Sequence, residues 1–130
     1  MDYKKSMDDL EKILDDLRDK NMEIPIIVEG DKDIEALKKL NINGIILSLN
    51  RGVPIINFCD HIADEYDKII ILTDWDKKGG QLCYKLKKNL VARVDCDTDF
   101  RKKIAKKTTI KTVEGLPSWI ETIRKKINHL

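Results

Sequence analysis

Three short apolar runs, 24-IPIIV-28, 44-GIILSLN-50 and 68-KIIIL-72, are each followed by residues whose apolar positions recur at helical spacing. The runs are apolar at consecutive positions rather than at every second one, so strands made from them need cover on both faces. The intervening stretches supply it. Ile34, Leu37 and Leu40 share one face of 31-DKDIEALKKL-40, and Pro54 suits the first turn of a helix reaching about Tyr66, with Ile55, Phe58, Cys59 and Ile62 inward. Glycines after Asp76 open a third helix, roughly 79–89, with Leu82, Cys83, Leu86 and Leu90 on its apolar side, and a shorter strand, 91-VARV-94, closes the unit. This alternation predicts an α/β fold with a mostly parallel central sheet flanked by helices. Ligands of such sheets gather at the carboxyl ends of the strands, where Glu29, Arg51, Asp74 and Asp76 all stand.

At 130 residues and 15.1 kDa the chain has room for one ordinary domain. Met7, Leu10, Ile13, Leu14 and Leu17 make residues 4–20 an amphipathic helix, whose stripe packs on the domain itself or on a second subunit. Beyond Asp95 the pattern predicts a loop, a short helix over 101–107, a strand at 108-TTIKTV-113 and a last helix from Pro117 with Trp119, Ile120, Ile123 and Ile127 inward.

The charged N-terminus lacks the form of a signal peptide and no apolar run reaches membrane-spanning length, which points to the cytoplasm and away from membranes. Cys59, Cys83 and Cys96 are odd in number and widely spaced, so neither a disulfide framework nor a zinc site has support. The net charge of +2 conceals an asymmetry: residues 1–76 carry 10 basic against 18 acidic side chains, whereas residues 77–130 carry 15 against 5. If the halves map to different faces, one attracts a polyanion and another holds cations.

The third run ends in Thr73 and then in two acids spaced by one residue, 72-LTDWDKKGG-80. On a strand, residues i and i+2 point the same way, so Asp74 and Asp76 can converge on one point. Two carboxylates so close repel unless a proton or a cation intervenes, and Mg²⁺ suits one or two hard oxygen ligands of this kind. Glu29 adds a third carboxylate if the first and third strands are neighbours. Taken alone, Asp-x-Asp in a loop is more often a solvated turn. Val-Glu-Gly recurs at 113–115 after a more polar stretch and without an acid four residues on, so Glu114 reads as a surface or cap residue.

Together, 28-VEGDKD-33 and 72-LTDWDKKGG-80 resemble the two signature motifs of the Toprim superfamily, over roughly residues 23–105. The resemblance implies a Rossmann-like Toprim domain at 23–105, an added N-terminal helix at 1–22, and a C-terminal strand and helix at 106–130 completing the same domain. It implies that Glu29 acts as general acid or base and as a metal ligand, and that Asp74 and Asp76 bind Mg²⁺, one ion or two, with Mn²⁺ an alternative. Gly30 and Gly79 match the motif glycines, and Asp33 matches the supporting acid. The chain has no room for the ATPase, zinc-binding or tyrosine-bearing segments of topoisomerases and primases. It looks instead like a small stand-alone Toprim protein of the kind common in archaea.

Arg51, Lys77 and Lys78 are candidate phosphate contacts, each balanced by a plain charge-compensating role. The basic run from Arg101 to Lys107 suits a nucleic-acid backbone or a solvated helix face, and Trp75 either stacks on a base or anchors its loop. Cys59 and His61 face different ways on a helix and read as structural, and His129 is terminal. The expected activity is Mg²⁺-dependent phosphoryl transfer on RNA or DNA, as a nuclease or nicking enzyme. A metal- and nucleic-acid-binding module without chemistry, a hydrolase of a small phosphate compound, and assembly as a homodimer or in a larger nucleoprotein complex stay open.

Overall fold

A computed structural model describes residues 1–49 and 52–129. Among these residues the elements run α1 (Tyr3–Asn21), β1 (Ile26–Val28), α2 (Asp31–Lys39), β2 (Ile46–Ser48), α3 (Ile55–Glu65), β3 (Lys68–Ile71), α4 (Lys77–Leu90), β4 (Asp95–Asp97), α5 (Asp99–Lys107) and α6 (Leu116–Asn128). The strands form one four-stranded sheet in the order β2-β1-β3-β4, with every pairing parallel. This is the α/β fold with a parallel sheet flanked by helices that the alternation of apolar runs predicts.

Both faces of the sheet are covered, as the consecutive apolar residues require. Ile27, Ile69 and Ile71 point to one side and pack with Cys59 and Ile62 of α3 and Leu86 and Leu90 of α4. Ile26, Val28, Ile70 and Leu72 point to the other, against Leu10 and Leu14 of α1, Ile104 of α5 and Ile120 of α6. Every one of these residues is 2% exposed or less. The stripe of α1 is thus buried within the chain, and ion pairs from Asp9 to Lys107 (2.9 Å) and from Glu11 to Arg124 tie it to α5 and α6. Buried Asn21 joins the end of α1 to the sheet: its side chain donates to the carbonyls of Ile24 and Ile45 and accepts from the Gly44 N–H, so all its polar atoms are partnered.

Two expected strands differ. The stretch 91–94 is a turn instead, with Ala92 in the left-handed region (φ 68°), and the strand forms one step later at Asp95–Asp97, pairing Lys68 with Asp95. The apolar valines suggested a strand, but Val94 is spent on the core beneath α4 while polar residues make the sheet edge. Residues 108–113 form no strand either. Their main-chain groups bond to the loop after β3 rather than to a ladder: the Ile110 and Lys111 carbonyls accept from Trp75, and the Val113 N–H donates to Asp74. Among the described residues no helix is long and apolar enough to cross a membrane.

Candidate metal centre

The two central strands are neighbours, which sets the geometry of the site. Parallel pairing places Ile26 beside Ile70 and Ile27 beside Ile71. Ile70 N–H donates to the Pro25 carbonyl (2.9 Å) and Leu72 N–H to that of Ile27 (2.8 Å). Two residues on, Asp74 N–H again donates to the first strand's continuation, but the acceptor is the Glu29 side chain, Oε2 at 2.8 Å. The ladder therefore ends in a carboxylate, and it holds Glu29 beside the acids that follow β3.

Those acids are held by backbone amides too. Asp74 Oδ1 accepts from Val113 N–H (2.8 Å), and Asp76 Oδ1 accepts from Gly79 N–H (2.7 Å), so that Asp76 is the N-cap of α4. One carboxylate oxygen from each of Glu29, Asp74 and Asp76 lies within 4.8 Å of the others, and all three residues are half-buried. Each keeps a second oxygen beyond the one bonded to the main chain, giving the hard, all-oxygen donor set that a Mg²⁺- or Mn²⁺-sized ion prefers.

The loop between β3 and α4 is clamped around this set. Buried Thr73 donates its hydroxyl to the Gly79 carbonyl (2.8 Å), and Trp75 Nε1–H donates to the Ile110 carbonyl (2.6 Å). From α5, the Arg101 guanidinium donates to the carbonyls of Thr73 (3.1 Å) and Asp74 (2.8 Å). Gly79 has to be glycine, because a Cβ there would lie 1.8 Å from the Asp74 carbonyl oxygen. Gly30 is different. It is extended, with φ −151° and ψ 176°, and a Cβ on it would meet nothing in the chain.

Burial pushes the Glu29 carboxyl above its usual range; the Asp74 amide opposes the shift, and the charges of Asp74, Asp76 and Asp33 add to it. Asp74 is raised chiefly by burial, against the pull of the Val113 amide, with Asp76 and Glu114 adding repulsion. Asp33, 7% exposed and accepting from Gly30 N–H at 3.1 Å, is raised by burial and then by the charge of Asp74.

Of the residues singled out in the sequence, Glu29, Asp74 and Asp76 come together, and Asp33 braces the turn after β1. Lys78 lines an open groove of about 720 Å³ with Glu29, Asp33 and Asp74, while Lys77 is exposed at the start of α4. Arg51 lies outside the described residues. Trp75 anchors its loop rather than offering a ring for stacking. Three residues of the basic run of α5 have partners within the chain, Arg101 on the loop carbonyls, Lys103 over the Phe100 ring and Lys107 on Asp9, while Lys102 and Lys106 are exposed. Two residues that shape the site escape sequence reasoning. Arg101 is hidden in a run of like residues, and Glu114, although exposed as expected, lines the same groove as Glu29 and Asp74. Glu114 arrives there on an irregular segment forty residues beyond Asp74, and no periodicity signals that.

A parallel sheet with three carboxylates converging at the carboxyl ends of adjacent strands is the arrangement the two sequence motifs imply, and sequence comparison gives the same family. The chain belongs to the Toprim domain family, whose profile matches residues 24–107. It is similar to the UPF0292 protein TV1259 of Thermoplasma volcanium, 43% identical over 105 residues covering 80% of this chain and 88% of that one. It is also similar to the UPF0292 protein PH1700 of Pyrococcus horikoshii, 40% identical over 83% of this chain and 81% of its relative. Among solved structures, a putative protein from Aquifex aeolicus superposes with a TM-score of 0.70 at 27% identity, over 80% of this chain and 94% of that one.

Two predictions follow from the packing and the charges. Gly79→Ala lowers stability by about 1–3 kcal/mol in urea unfolding, the usual cost of overpacking, whereas Gly30→Ala leaves stability within about 0.5 kcal/mol. Equal effects of the two would contradict the close approach of α4 to Asp74. The raised carboxyls of Glu29, Asp33 and Asp74 also mean that the metal-free folded chain binds protons more tightly than the unfolded one. Their contribution therefore lowers stability as pH rises from the ordinary carboxyl values of 3.8 and 4.5 through the higher folded-state values. Metal-free Asp74→Asn should show a weaker fall than the unmodified protein over that window in unfolding titrations, and an equal or steeper fall would contradict the repulsion.

Proposed function

We propose that the protein is a divalent-metal-dependent phosphoryl-transfer enzyme acting on nucleic acid, as a phosphodiester-cleaving or nicking activity. The observation that carries this reading is the convergence of Glu29, Asp74 and Asp76 within 4.8 Å at the carboxyl ends of β1 and β3. Asp74 and Asp76, oriented by the Val113 and Gly79 amides, would hold Mg²⁺ or Mn²⁺, with Glu29 as a further ligand. When bound, such an ion supplies Lewis-acid stabilisation of charge developing on a phosphoryl oxygen. Glu29, with its carboxyl pushed above its usual range by burial, is suited to carry a proton to or from the reacting oxygen. Lys78, on the wall of the same groove, orients a phosphate.

A second reading, a module that binds metal and nucleic acid without chemistry, draws support from the hydrogen bond on Glu29. Its Oε2 accepts from the Asp74 N–H, as a brace between the strands would. Cleavage of labelled single- and double-stranded RNA and DNA with Mg²⁺ or Mn²⁺ separates the two. The enzyme reading expects metal-dependent product that falls by about 10²–10⁴-fold in Glu29→Gln, the usual range for losing a general acid or base, and is also lost in Asp74→Asn. Full activity in both folded variants sinks it. Metal-dependent binding of every substrate with no product supports the module.

A further inference from the structure

About half of the basic side chains in the second half of the chain have a partner within it. On α5, Arg101, Lys103 and Lys107 are engaged as described above; on α6, Lys125 pairs with Glu121 (3.1 Å), Lys126 lies over the Tyr3 ring and Arg124 reaches Glu11. Helix α4 holds the largest group without one. Its sequence, 77-KKGGQLCYKLKKNL-90, has five lysines and no acid, and none of the five pairs with a carboxylate among the described residues. At 100° per residue, Lys77, Gln81, Tyr84, Lys85 and Lys88 fall on one outward ridge, opposite the buried Cys83, Leu86 and Leu90. All five ridge residues are exposed, and Tyr84 is 66% exposed. Favourable interaction with the helix dipole accounts for Lys87 and Lys88 in the last turn, but for neither Lys85 nor an exposed ring at mid-helix.

The ridge starts at the site. Asp76 is the N-cap of α4, and Lys78 and Leu82 line the groove that holds Glu29 and Asp74. We propose that this outward ridge of α4 is the track on which a polynucleotide backbone lies as it approaches the acidic cluster. The inference rests on the function proposed above and names its substrate as a polymer rather than a nucleotide. From Lys77 to Lys88 the ridge is about 17 Å long at 1.5 Å per residue, the rise of about five duplex base steps. An unpaired cationic ridge of that length complements a chain of phosphates, and Tyr84 among its lysines offers a face to an unstacked base. Near the acids themselves a polyanion is repelled, so the attraction comes from the track.

The test is equilibrium binding of fluorescein-labelled 20-mer RNA and DNA, with Mg²⁺, over a range of salt. Lys85→Ala/Lys88→Ala is compared with the unmodified protein and with Lys102→Ala/Lys106→Ala on α5. Hydrolysis of bis(p-nitrophenyl) phosphate with Mn²⁺ is measured in parallel. The α4 double variant should bind about tenfold more weakly or worse, with a log–log salt slope shallower by about 1.4–1.8, two phosphate contacts at 0.7–0.9 each, and unchanged hydrolysis of the small diester. Tyr84→Ala should weaken single strands more than duplex. Oligonucleotide binding with the same slope in the α4 and unmodified proteins overturns the track and leaves the proposed function standing. Diester hydrolysis that is lost in Asp74→Asn, without any oligonucleotide binding, overturns the track and also the nucleic-acid part of the proposed function, leaving metal-dependent hydrolysis of a small phosphodiester. Neither binding nor hydrolysis in the unmodified protein overturns both.

Discussion

The pairing of β1 with β3 is the constraint on which the rest depends. These strands are separated in sequence by α2, β2 and α3, yet they lie side by side in parallel at the centre of the sheet. Because they are parallel and in register, the residue after β1 and the residues after β3 emerge at the same end. The last hydrogen bond in the direction of the ladder is donated by the Asp74 N–H to Glu29's own carboxylate. A slip of one residue would turn the apolar side chains to the wrong faces and carry Glu29 away from the aspartates, so core packing and site geometry enforce one another.

Holding three carboxylates together opposes folding through repulsion and desolvation, and the surrounding structure answers with backbone. Glu29, Asp74 and Asp76 each accept one main-chain N–H, from elements as far apart as Gly79 and Val113. The Arg101 guanidinium binds the carbonyls of Thr73 and Asp74 rather than any carboxylate, so it fixes the loop without neutralising the acids through a direct salt bridge. Three carboxylates kept together by backbone amides make a cluster that could hold a cation.

What the sequence disclosed divides along physical lines. Consecutive apolar residues such as 69-IIIL-72 left one arrangement open, a parallel sheet covered on both sides, and the spacing of Asp74 and Asp76 gave their convergence. Elements whose position depends on tertiary partners were harder to read. Thr108 to Val113 has the composition of a strand, but its carbonyls and amides satisfy the Trp75 loop and the Asp74 carboxylate instead. Val91 and Val94 suggested the fourth strand, yet the polar Asp95–Asp97 makes it, because an edge strand needs backbone pairing with β3 more than apolar side chains. Glu114 and Arg101 reach the site through packing among distant segments, which no local period encodes.

The central claim is that Glu29, Asp74 and Asp76 form one cation site. Anomalous diffraction from crystals grown with Mn²⁺ reads this directly, since the ion's signal marks its position without reference to activity. The account predicts a Mn²⁺ peak at about 2.1 Å from carboxylate oxygens of Asp74 and Asp76, within direct or water-bridged reach of Glu29, and no peak there in Asp74→Asn. A peak elsewhere with these three carboxylates bound only to the chain, or no peak at millimolar Mn²⁺, would contradict it.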